Sequence, residues 1–141
     1  MEGDRKRILV AGATGYIGRA VTAELMSRGH DVTAVVRAAA EILGADVRVA
    51  AATDAEALAR AVGDARFDAV VSCIASRSGV PDDAWRVDYE ANRNLLAVAE
   101  KSAVTRFLLL SAICVQKPRL EFQRAKLAFE AELEESGIDY T

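Results

Sequence analysis

The most constraining feature of the sequence is a glycine-rich segment near its start, Gly12-Ala-Thr-Gly-Tyr-Ile-Gly18. It follows an apolar run, Ile8–Ala11, and precedes a helix-forming stretch from Arg19 to Arg28. Glycine allows a sharp turn and a close approach of the backbone to a ligand. The first turn of a helix offers free N–H groups and the positive end of its dipole to phosphates. This order of strand, turn and helix therefore predicts a diphosphate site.

The spacing of the glycines narrows the prediction. Gly12, Gly15 and Gly18 follow a GxxGxxG pattern, which is typical of relatives of the short-chain dehydrogenases/reductases and differs from the commoner GxGxxG. The alternative is a purely structural turn, because any tight connection between a strand and a helix favours glycine. The residues of this turn predicted to bind a cofactor are Gly12, Thr14, Gly15, Tyr16, Ile17 and Gly18.

Composition excludes several classes of function. A chain of 141 residues is long enough for one domain, which we predict over residues 1–141. Its content of 52% hydrophobic and 28% charged residues is ordinary for a globular protein. A net charge of −3 argues against a nucleic-acid partner or a polybasic membrane patch. Ile8–Ala11 is too short for a signal-peptide core or a transmembrane segment. We therefore expect a cytoplasmic protein without a transmembrane segment.

Strand and helix patterns alternate along the whole chain, which predicts an α/β fold with a doubly wound, Rossmann-like parallel sheet in the order 3-2-1-4-5 and a truncated sixth strand. The predicted strands are Arg7–Ala11, Asp31–Arg37, Asp46–Ala50, Ala69–Ile74, Arg106–Leu110 and the start of a sixth at Ile138–Thr141. The predicted helices are Gly15–Arg28, a helix capped by Thr53 or Asp54 that ends at Val62, Asp82–Ser102 and Leu120–Ser136.

In such a sheet the ligand lies beyond the carboxyl ends of the strands, where the strand order reverses. Ile74 and Ala75 end the fourth predicted strand there and are predicted to bind the cofactor. Arg37 ends the second strand, where an acidic residue would bind the ribose 2′-OH of NAD. An arginine instead suits a 2′-phosphate and favours NADPH. The alternative is a solvated arginine at a strand end.

The remaining titratable residues predict no metal site. Cys73 and Cys114 lie in apolar, strand-like contexts without a partner at metal-ligand spacing, and we interpret both as reduced thiols near strand ends. His30 stands apart after Arg28-Gly29, where a turn or surface position is expected.

Two longer segments carry a family resemblance. One is Val71-Ser-Cys-Ile-Ala-Ser-Arg-Ser-Gly79, followed by Trp85-Arg-Val-Asp-Tyr89; the other runs from Leu109 through Ser111-Ala-Ile-Cys-Val-Gln-Lys-Pro118 to Leu127. Both resemble the divinyl chlorophyllide a 8-vinyl reductase family. The resemblance implies NADPH-dependent reduction of the 8-vinyl group on a chlorophyllide-type small molecule. It also implies that relatives continue well past Thr141, so we expect this chain to be the N-terminal, cofactor-binding part or a truncated homologue, inactive by itself.

Short-chain dehydrogenases usually carry a Tyr-x-x-x-Lys motif on the helix after the fifth strand, and here the matching residues are Phe122 and Lys126. Phenylalanine has no ionisable group, so ordinary carbonyl reduction is not expected. Its loss fits reduction of a C=C bond instead. Lys126 is predicted to bind the nicotinamide ribose and influence the reaction, or else to be a solvated charge. Ser111 is predicted to donate a hydrogen bond near the substrate, or else to cap a local turn.

Two other functions remain open on the sequence. One is a non-catalytic NADP(H)-binding module with a regulatory or redox-sensing role. The other is an isomerase or reductase acting on a different conjugated substrate, although Phe122 argues against sugar epimerisation, which needs the tyrosine.

Overall fold

A computed structural model describes residues 4–141 as a parallel six-stranded sheet with helices on both faces. The strand order is β3-β2-β1-β4-β5-β6, which confirms the predicted doubly wound sheet and its sixth strand. The strands are β1 Arg7–Ala11, β2 Asp31–Val36, β3 Asp46–Val49, β4 Ala69–Ser72, β5 Arg106–Leu109 and β6 Asp139–Tyr140. The helices are α1 Tyr16–Ser27, α2 Ala55–Val62, α3 Pro81–Ala84, a π-helical segment Trp85–Ala91, α4 Asn92–Lys101 and α5 Glu121–Glu135.

The central strand β1 is buried because the sheet is covered on both faces. Leu9 and Val10 are both fully buried, yet they point to opposite faces since side chains alternate along a strand. Leu9 belongs to the larger core with Leu58, Phe107 and Phe129, whereas Val10 belongs to a second core against which α1 packs. The apolar runs in the sequence are therefore explained by a sheet with two buried faces.

The helical stretch 81–101 differs from the uniform helix that the sequence predicts. Its middle, Trp85–Ala91, is a π-helix, and α4 continues from Asn92 without a break. The side-chain amide of Asn92 donates to the carbonyl oxygen of Asp88 at 2.9 Å, and both residues are buried. A π-helical turn changes the direction in which side chains point and is frequent near functional sites.

Every predicted strand after the first ends one or two residues earlier in the structure, and Cys114 lies in a different context from the one predicted. β2 ends at Val36 and β4 at Ser72, so Arg37 and residues 73–78 belong to loops at the carboxyl edge of the sheet. Cys114 is exposed in a turn with a φ of 61°, not in a strand-like context, because the chain reverses between β5 and α5. Within residues 4–141, no helix is long and apolar enough to cross a membrane.

Candidate functional site

A cleft of about 550 Å³ lies at the carboxyl ends of β1, β2 and β4. It is formed where the sheet reverses, because β1 pairs with β2 on one side and β4 on the other. The lining comes from five stretches of chain: Ala11, Gly12, Thr14 and Gly15; Val35, Val36 and Arg37; 50–53; 73–78; and Asp83, Arg86, Val87 and Ala91.

The glycine-rich turn opens α1 toward this cleft. The N–H of Gly15 donates to the carbonyl oxygen of Gly12 at 3.2 Å, which closes the turn. Gly15 is the N-cap residue, and the helix receives no hydrogen bond from a capping side chain. The first N–H groups of α1 are therefore available to an anion, in the way that helix N-termini bind phosphate.

The three glycines of the turn do different things. A Cβ atom at Gly12 would lie 2.6 Å from the backbone of Cys73, and one at Gly18 would lie 1.8 Å from the carbonyl oxygen of Gly12. At Gly15 the same atom would lie 3.5 Å from the Gly12 oxygen, an ordinary contact. Gly12 and Gly18 are thus required by close packing, whereas Gly15 leaves a cradle beside the helix N-terminus. That space and its N–H groups fit a diphosphate.

Two loop arginines line the cleft. Arg37 follows β2, is exposed and lines the cleft. Arg77 also lines the cleft, with its Nη2 atom 3.9 Å from the Cβ position at Gly15. No carboxylate within residues 4–141 forms an ion pair with either guanidinium.

No motif in the sequence predicts that Arg77 lines the cleft. It occurs in a loop, five residues beyond the end of β4, and no spacing rule links it to the glycine turn. One signal was available: the loops after β1 and β4 meet at the switch point of the sheet, so a cation in the second loop is placed near phosphates bound by the first.

Residues 73–78, called here the β4 loop, are held in place by two buried charged side chains, Asp88 and Lys126. Asp88 of the π-helical segment accepts hydrogen bonds from the N–H and hydroxyl of Ser76. The Nζ atom of Lys126 lies 3.5 Å from the Asp88 carboxylate and donates to the carbonyl oxygens of Ile74 at 2.6 Å and Leu110 at 3.2 Å. The side chains of Asp88 and Lys126 are only 1% and 3% exposed.

Burial lowers the pKa of the Lys126 ammonium, because desolvation disfavours its charged form, and the Asp88 carboxylate opposes that change. Burial also raises the pKa of the Cys73 thiol, and Lys126 opposes this in turn. Lys126 therefore acts within a small group of interacting side chains beneath the cleft.

A second loop of the cleft, residues 50–53, is fixed from α4. The side-chain amide of Asn94 donates to the carbonyl oxygen of Ala52 at 2.8 Å. Asp88 and Asn94 thus each secure one loop of the cleft.

The structure brings most of the predicted binding residues together. The cleft is lined by Gly12, Thr14, Gly15, Arg37, Ile74 and Ala75. Tyr16 and Ile17 lie in the first turn of α1 with exposed side chains, and Gly18 packs inside that turn. Neither Lys126 nor Ser111 lines the cleft. The Ser111 hydroxyl is buried, with no hydrogen-bond partner among the described residues. Those residues contain no group of side chains suited to a metal ion.

Known proteins resemble this chain in sequence and in fold. A family model described as NAD(P)H-binding matches residues 12–141. The divinyl chlorophyllide a 8-vinyl-reductase of Cucumis sativus is 46% identical over 95% of this chain, and that of Zea mays is 49% identical over 89%. The chain spans 37% and 35% of the lengths of these two relatives. The crystal structure of Bordetella bronchiseptica WbmG in complex with NAD superposes with a TM-score of 0.84 at 24% identity, covering 99% of this chain and 52% of that protein, and so shares the fold.

Proposed function

The chain belongs to the NAD(P)H-binding family, and from this premise we propose that it forms the NADPH-binding part of a reductase acting on the 8-vinyl group of a divinyl chlorophyllide. The observation that carries the proposal is the cleft itself, in which an uncapped helix N-terminus, an open position at Gly15 and two arginines surround one space. Arg37 and Arg77 form no ion pair with a carboxylate among residues 4–141. The chemical class of the reaction is supported by the similarity to the plant reductases.

The described residues divide the binding of the cofactor between them. The N–H groups of α1 and the guanidinium of Arg77 would bind the diphosphate, and Arg37 would bind the 2′-phosphate. NADPH supplies a hydride equivalent when bound. Phe122 has no proton to donate, so this helix cannot protonate a carbonyl oxygen in the usual way, which supports a C=C bond as the reduced group. Ser111, whose buried hydroxyl has no hydrogen-bond partner within residues 4–141, remains a proposed hydrogen-bond donor near the substrate.

Cellular location is part of the same proposal. Two free cysteines, Cys73 and Cys114, fit a reducing compartment such as the cytoplasm. The names of the plant relatives assign those proteins to the chloroplast.

Arg37→Ala is expected to weaken NADPH binding by about ten- to hundredfold while leaving NADH binding within about twofold, because a hydrogen bond to a charged group contributes about 1.5–3 kcal/mol. Fluorescence titration of both cofactors measures this selectivity. Arg106→Ala is the matched control, since Arg106 begins β5 and so lies at the amino ends of the strands, whereas the cleft lies at their carboxyl ends. Equal losses of NADPH and NADH affinity would contradict the assignment of Arg37 to the 2′-phosphate.

A chimera tests the proposed reaction. The segment of the cucumber reductase that matches this chain is replaced by residues 1–141, and conversion of 8-vinyl to 8-ethyl pigment is followed by absorbance. We expect conversion that depends on NADPH and is lost when the chimera carries Gly15→Val. A chimera that folds, binds NADPH and yields no 8-ethyl product would contradict the proposal.

A further inference from the structure

We propose that Asp88 and Lys126 form a buried strut that positions the β4 loop, so that Lys126 supports nucleotide binding through this loop rather than by contact with the cofactor. The inference rests on the proposed NADPH binding and deepens it. It assigns Asp88 as a positioning residue and gives Lys126 a different task from the ribose contact that its motif implies.

The first observation is the position of the ammonium group. Lys126 does not line the cleft, and its side chain is 3% exposed. Its donors are directed to the carbonyl oxygens of Ile74 and Leu110. These carbonyls follow the ends of β4 and β5, so one cation links two neighbouring strand ends to α5.

The second observation is what Asp88 joins. Its carboxylate faces Lys126 on one side and accepts from the N–H and the hydroxyl of Ser76 on the other. Ile74 and Ser76 are therefore held by the two members of one ion pair. The π-helical segment contributes by carrying Asp88 inward, where Asn92 binds its backbone carbonyl.

The third observation connects the strut to the ligand. Arg77 follows Ser76 directly and reaches the open side of Gly15. On the other side of the same loop, the backbone of Cys73 lies against Gly12 so closely that no Cβ fits there. A small displacement of residues 74–76 would thus move both the cation and one wall of the diphosphate cradle. Removal of either charge leaves the other buried and uncompensated, which strongly favours such a displacement.

The test compares Asp88→Asn and Lys126→Met with the native chain for three ligands: NADPH, ADP and 2′-AMP. ADP has the diphosphate but lacks the nicotinamide ribose, and 2′-AMP lacks the diphosphate. We expect both variants to lower the affinity for NADPH and for ADP by tenfold or more, and to keep the affinity for 2′-AMP within about threefold of the native value. Amide hydrogen exchange of Ser76 should accelerate in both variants, because displacement of the β4 loop moves its N–H away from the residue 88 side chain, which lies 3.4 Å away in the native chain.

Matched controls are Lys101→Met and Asp64→Asn, which remove exposed charges outside the cleft lining. If Lys126→Met fails to fold, Asp88→Asn carries the test, because asparagine keeps an acceptor for Ser76 while removing the charge.

Two results would overturn the strut. In the first, Lys126→Met lowers the affinity for NADPH and leaves the affinity for ADP unchanged, which is the pattern expected of direct contact with the nicotinamide ribose. In the second, both variants bind all three ligands as the native chain does and Ser76 exchanges at the native rate. Failure of the native chain to bind NADPH contradicts the proposed function instead, and the strut is then judged by Ser76 exchange alone.

Discussion

Gly15→Val is expected to lower the affinity for NADPH by about a hundredfold or more while the protein stays folded, because the new side chain occupies the space where a diphosphate would approach the helix N-terminus. The backbone accepts the change: Gly15 has a φ of −72° and a ψ of 169°, which β-branched residues adopt readily. A Cβ there makes only ordinary contacts with the Gly12 oxygen and the mobile end of the Arg77 side chain.

Circular dichroism reports the fold of this variant, and quenching or energy transfer from the single tryptophan, Trp85, reports binding. Gly15→Ala should give an intermediate loss, since it adds one carbon. Ala20→Val is the matched control, because it adds the same branched side chain to an exposed position of α1 outside the cleft. Native affinity in Gly15→Val would show that the turn is structural and that no diphosphate binds at it.

The strand order could be predicted because three independent signals agree. The apolar run before Gly12 marks a strand buried on both faces, the glycine turn fixes it as the strand next to the reversal, and right-handed crossovers then order the others. The Asp54 cap is equally local: its side chain accepts from the N–H of Ala57 at 3.0 Å, as an N-cap residue does.

The π-helical segment could not be predicted, since its sequence has the spacing of an ordinary amphipathic helix. What stabilises it is tertiary: Asp88 is buried against Ser76 and Lys126, and Asn92 is hydrogen-bonded to Ser72 from β4. Along the chain, Ser76 and Lys126 are 12 and 38 residues from Asp88, and Ser72 is 20 residues from Asn92. No local sequence pattern contains partners that far apart.

Dependence on contacts distant in the sequence also explains why the position of Arg37 could be predicted but those of Arg77 and the Lys126 ammonium group could not. Arg37 could be predicted to line the cleft because it ends a strand whose place in the sheet is known. Arg77 depends on how a loop folds over the glycine turn, which is decided by the buried contacts of Ser76. The motif position of Lys126 predicts which helix carries it, but burial and its two carbonyl acceptors decide where the ammonium group lies.

Gly18→Ala is expected to lower the stability of the fold, whereas Gly15→Val is expected to lower the affinity for NADPH and leave the fold intact. A Cβ at Gly18 would lie 1.8 Å from the carbonyl oxygen and 2.7 Å from the carbonyl carbon of Gly12, and both are backbone atoms that no rotamer change can move. Either α1 must shift away from β1 or the turn must open. Overpacking of this kind costs about 3 kcal/mol, a large share of the roughly 5–15 kcal/mol that stabilises a domain.

The melting temperature of Gly18→Ala should therefore fall by about 10 °C, as measured by calorimetry or circular dichroism, whereas Gly15→Ala should melt within about 3 °C of the native chain. One methyl group is added in both variants, and the two positions lie three residues apart in the same turn. The difference between them isolates the packing of α1 against the end of β1. Equal melting temperatures would mean that Gly18 is not required for this contact, and that the helix is held at the cleft by its other contacts alone.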